Sequence, residues 1–69
     1  LLPDDPGVAY NLACSLALVG RAREALATLE RAIELGYDDA AHLAADEDLE
    51  SLRGHVRFHE LLARLRRRR

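Results

Sequence analysis

The 69-residue chain contains no lysine, methionine or tryptophan, one cysteine, two prolines, two tyrosines and one phenylalanine. Each scarcity excludes something. Cys14 has no second cysteine to pair with, and no Cys/His spacing matches a structural zinc site. No run approaches the ~18 consecutive apolar residues of a membrane-spanning helix, and no charged-then-apolar leader is visible. Without a staple the domain must hold by packing alone, and a chain this short buries only ~60% of its unfolded surface. Beginning at Leu1 and lacking Met, it reads as a segment of a longer protein. Cytoplasmic placement is the expectation.

What is present is Ala, Leu and charge. All ten cations are Arg, a bias that suits a GC-rich bacterial genome. Four of them end the chain, Arg66 to Arg69, so residues 1–65 carry six Arg against twelve acids. Asp38, Asp39, Asp46, Glu47, Asp48 and Glu50 crowd into one short stretch. An acidic body repels a phosphate backbone, and no aromatics interleave the terminal arginines. Nucleic-acid and membrane partners are therefore not expected. A basic run at a helix C-terminus favours the helix dipole and solubility instead.

Periodicity predicts an all-α chain of four to five helices. Asp5-Pro6 is a helix-start signal, because Asp can accept from free backbone N–H groups and Pro suits the first position. The first helix should run from about residue 6 to 19 and end at Gly20. Ala9, Leu12, Ala13 and Leu16 form one apolar stripe on it. Tyr10, Cys14, Ala17 and Leu18 form a second on the other side. A helix apolar nearly all round needs cover on more than one face. The second helix, about 21–35, buries Ala22, Ala25, Leu26, Leu29, Ala32 and Ile33, and Gly36 caps it. So short a connection forces an antiparallel hairpin. A short helix at 39–45 should follow, then one capped by Asp46 or Asp48 that runs through Leu52. A final helix, about 55–66, should bury Phe58, Leu61, Leu62 and Leu65. The divisions are thus a lead-in at 1–5, a hairpin at 6–39, closing helices at 40–66 and a basic tail at 67–69.

The stretch Pro6–Asp39, with Ala9, Leu12, Ala13, Leu16, Gly20, Ala25, Leu29 and Ala32 in register, resembles one tetratricopeptide repeat, whose period is ~34 residues. Tyr37 stands where that family closes with Pro, and Ala9 where it has Trp. The run from Asp46 to Leu65 is similar to the degenerate closing unit of bacterial repeat arrays. The resemblance implies a right-handed α-α superhelix that binds a protein or peptide. It also implies that Tyr10, Asn11, Cys14 and Leu18 face the partner, with Asn11 holding a peptide backbone. Cys14 occupies the place of a second Asn used to clamp C-terminal carboxylates, so such a clamp is not expected.

Other constellations have duller explanations. His55 and His59 stand four apart but lack a third metal ligand and flank Phe58. Asp46, Asp48 and Glu50 alternate like a calcium loop without its Gly, which favours capping. Cys14 could act as a nucleophile with His42 as base, yet nothing in the sequence ties them together, and a mid-helix Cys among Ala and Leu behaves as a small hydrophobe. No catalytic residue, metal or cofactor is expected. A non-catalytic interaction module is the leading expectation. A homodimer through the first helix and a regulatory appendage of a larger bacterial enzyme are the alternatives.

Overall fold

The computed structural model describes residues 4–68, so parts of the expected lead-in (1–3) and basic tail (69) lie outside the described residues. Helix α1 spans Pro6–Leu18. Asp5 starts it: its Oδ1 accepts from the backbone N–H of Gly7 at 2.7 Å and of Val8 at 3.1 Å. Helix α2 spans Ala22–Glu34.

Both helices stop in the same way. Gly20 (φ 83°) and Gly36 (φ 119°) take the left-handed conformation. Each glycine N–H and the N–H after it then bond back to the preceding turn, as Gly20 to Ala17, Arg21 to Leu16, Gly36 to Ile33 and Tyr37 to Ala32. The second stop uses the Tyr37 N–H, which a Pro at that position would not have.

Alanine sets the hairpin's closeness. Ala13, Ala25 and Ala32 are fully buried between α1 and α2, together with Leu29 and Ile33. Leu12, expected inside, is 52% exposed: it falls at the edge of the contact, and the smaller Ala9 and Ala13 fill the seam.

The chain then doubles back over this hairpin. Asp39 caps the short helix α3, Ala40–Ala45, by accepting from the His42 N–H at 2.9 Å. Asp46 ends α3 in an extended conformation and caps the following 3-10 helix, Glu47–Leu52, through the Asp48 N–H. That helix lies against α1, and the Ser51 hydroxyl donates to the Ala17 carbonyl at 3.1 Å. Arg53 ties the corner, donating to the carbonyls of Ala44 and Asp46 while lying over the Phe58 ring.

Helix α4, Val56–Arg67, closes the structure. Phe58, Leu61, Leu62 and Leu65 are buried on its inner side, as the apolar spacing predicts. Glu30 on α2 receives Arg57 and Arg64 from α4, and the Arg57 hydrogen bond holds the Glu30 carboxyl below its ordinary pKa. Arg68 donates to the Ile33 carbonyl at 2.9 Å and so satisfies the C-terminal end of α2. The basic tail thus begins as a structural cap.

The radius of gyration, 10.8 Å, is that of a single closed body of this length, about 11 Å. The described residues form five helices joined by turns, without strands. One hairpin with a folded-over cap traces no superhelical path.

The second stripe of α1 is where expectation and structure part. Tyr10, Cys14 and Ala17 are 5%, 7% and 3% exposed, because the Asp46–Leu52 segment covers them. Leu18 alone of that stripe stays outside, at 66% exposed.

Candidate functional site around Asp46

Asp46 sits where the end of α3 meets the inner side of α1, its side chain 13% exposed. The extended backbone at this residue turns the carboxylate inward. Oδ1 accepts from the Asp48 N–H at 2.9 Å, which leaves Oδ2 for side chains. Tyr10 donates its hydroxyl to Oδ2 at 2.5 Å, the Cys14 thiol lies 3.7 Å from the same atom, and His42 Nε2 lies 3.3 Å from it. The Tyr10 ring stacks on Tyr37, with centroids 4.3 Å apart and planes 6° from parallel, and the His42 ring tilts against Tyr10 at 5.5 Å. The Tyr37 hydroxyl is buried without a hydrogen-bond partner among the described residues.

The charges follow from this packing. Burial pushes Asp46 up, but the Tyr10 hydroxyl, the Asp48 N–H and nearby His42 outweigh it, and the carboxyl ends below its ordinary range. Burial, then the hydrogen bond to Asp46, pushes the Tyr10 phenol far up. Burial and the neighbouring Asp46 charge push the Cys14 thiol up to about 11. A thiol held protonated in this way is a poor nucleophile.

These shifts set a pH window. The lowered Asp46 contributes stability that is present above its unfolded-state value and lost as the pH falls below about 4. The raised Cys14 and Tyr10 contribute stability that is complete below their unfolded-state values and lost as the pH rises above about 9 and 10 respectively. Thermal melts across pH should show a plateau with both shoulders. In Asp46→Asn the acid shoulder should flatten; an unaltered acid limb would contradict the assignment.

Of the four residues expected to face a partner, Tyr10 and Cys14 point into this cluster, whereas Asn11 and Leu18 are exposed. Cys14 and His42 both meet Asp46 Oδ2, a link that the sequence does not show. Asp46 reads as a helix cap, and its second role depends on a contact 36 residues away in the chain. His59 is engaged elsewhere, its Nε2 lying 2.7 Å from the Arg53 carbonyl.

A second feature lies on the outside of the hairpin. Val8, Ala9, Leu12, Ala27, Thr28 and Arg31 line an open, mostly apolar groove between α1 and α2. Leu18 and Val19, 66% and 70% exposed, stand at the end of α1.

Residues 6–69 match the family model described as A/B hydrolase-like, N-terminal domain. The chain belongs to this family. The match overturns the tetratricopeptide assignment and, with it, the repeat-array reading of the closing helices. The physical reason is that small and apolar residues at helical spacing are what any close antiparallel hairpin requires. The positions in register therefore reported a hairpin and could not distinguish its family.

The A/B hydrolase-like domain is also similar to a protein of Arabidopsis thaliana whose name describes it as chloroplastic, with 38% identity over 61 residues. That alignment takes in 87% of this chain but 18% of the relative, so the chain spans less than a fifth of the relative's length. A plant relative with a chloroplastic name does not fit the expected bacterial cytoplasm. No solved structure matches the chain. Among the described residues no helix is long and apolar enough to cross a membrane.

Proposed function

We propose that this domain is a non-catalytic regulatory appendage, carried by a larger hydrolase-like protein and docked on the rest of it through the outer side of α1. The family description supports the placement. The observation that carries the docking is the pairing of a closed core with exposed Leu12, Leu18 and Val19 along one helix and its end. Core demand does not explain side chains left outside: Leu12 sits in the apolar groove between α1 and α2, and Leu18 and Val19 stand together at the end of α1. Asn11, exposed beside Leu12, can fix the orientation of whatever docks. Tyr10 and Cys14 act behind this surface by holding α1 on the cap.

The test is to supply the remainder of the parent protein as a separate polypeptide and titrate it into the domain. Amide resonances of residues 8–19 should shift. Leu18→Asp should weaken association by at least about tenfold, while helicity and melting stay close to the parent's because the site is exposed. Absence of association, or an affinity indifferent to Leu18→Asp, would sink the proposal.

A further inference from the structure

The groups gathered at Asp46 do more than close a seam. The ligand atoms of Cys14, Asp46 and Asp48 all lie within 4.8 Å of one another. His42 stands outside that group, with its Nε2 3.3 Å from Asp46 Oδ2. These donors come from three places along the chain: α1 supplies the thiol, α3 the imidazole, and the start of the 3-10 helix the two carboxylates.

We propose that Cys14, His42, Asp46 and Asp48 form a binding site for a zinc-like divalent transition-metal ion. Geometry supports it first. In a tetrahedral zinc site, with a bond of about 2.3 Å to sulfur and about 2.0–2.1 Å to nitrogen or oxygen, neighbouring ligand atoms sit about 3.3–3.5 Å apart. The Cys14 Sγ to Asp46 Oδ2 distance is 3.7 Å, and the His42 Nε2 to Asp46 Oδ2 distance is 3.3 Å. The His42 side chain is 56% exposed, so its ring can swing to complete the set and the ion has an open path from solvent.

Chemistry supports it second. Thiolate and imidazole select zinc and its neighbours, whereas calcium and magnesium favour all-oxygen shells. The outer contacts are also in place. The Asp48 N–H orients Asp46 through Oδ1, and the Tyr10 hydroxyl steadies Oδ2 while occupying one of that oxygen's two lone pairs. Binding breaks the Cys14 S–H bond, forms a sulfur–metal bond and releases one proton to solvent, with no change of oxidation state.

The site is independent of the outer docking edge. Its occupant would pin α1 to the α3 junction. The experiment uses the whole chain, stripped with chelator and titrated calorimetrically with Zn²⁺, then with Co²⁺ as a coloured probe. One ion per chain should bind, and Co²⁺ should give a thiolate charge-transfer band in the near ultraviolet. Ca²⁺ should give no heat. His42→Ala, at an exposed position that leaves folding intact, and Cys14→Ser should each weaken Zn²⁺ by at least about tenfold. Cys14→Ser should also erase the band. Zn²⁺ binding that is absent, or that survives either substitution unchanged, overturns the site.

Discussion

Phe58→Ala is expected to remove a large part of the domain's stability. Phe58 is 1% exposed and is the largest side chain sealed into the core. Truncating a buried Phe costs about 3–5 kcal/mol, through lost transfer energy and the cavity left behind. A domain of this length holds about 3–10 kcal/mol in total. It also has no disulfide to fall back on, since Cys14 is its single cysteine. The loss therefore takes about a third of the margin at the least, and all of it at the low end of that range. The melting temperature should fall by at least about 12 °C, at about 4–8 °C per kcal/mol for a domain this small. Circular dichroism melts would check it. A melt within a few degrees of the parent's would mean that α4 packs loosely and that the hairpin stands without it.

The second large effect is at Asp46. Asp46→Ala removes the acceptor for the Tyr10 hydroxyl and the cap of the 3-10 helix at once. A hydrogen bond to a charged group contributes about 1.5–3 kcal/mol. Losing an N-cap costs about 0.5–2 kcal/mol. Together these predict a loss of about 2–5 kcal/mol, with the near-ultraviolet signal of the stacked tyrosines changing as well. Asp46→Asn keeps a capping oxygen but gives up the charge and puts an NH2 donor where the Tyr10 hydroxyl had its acceptor. It should cost about half as much, and denaturant melts of the two variants separate the capping role from the Tyr10 contact. Equal losses in the two variants would leave the cap without a part.

The elements themselves were legible. Asp5-Pro6, Gly20 and Gly36 mark where helices begin and end because each satisfies a backbone need that few other residues meet. The stripe Phe58, Leu61, Leu62 and Leu65 was equally plain, since only one side of α4 is apolar. The fate of α1 was not legible. Its second stripe is mostly small residues, and a small apolar side chain can meet a partner protein or its own chain with equal ease. Tyr10 decided between them through its hydroxyl, which needed an acceptor. That acceptor lies beyond two helices and a turn, where periodicity carries no information. Family was likewise hidden, because close hairpins of different descent share the same alanines.

The inner side of α1 is thus the seam of the domain itself, and the proposed docking surface is left to the exposed Leu12, Leu18 and Val19. A double-mutant cycle on Tyr10→Phe and Asp46→Ala, read from denaturant unfolding, tests that most directly. Both single variants remove the same contact, so the double variant should cost less than their sum by at least about 1 kcal/mol. Strict additivity would mean that Tyr10 and Asp46 do not hold each other in solution and that the inner side of α1 is free after all.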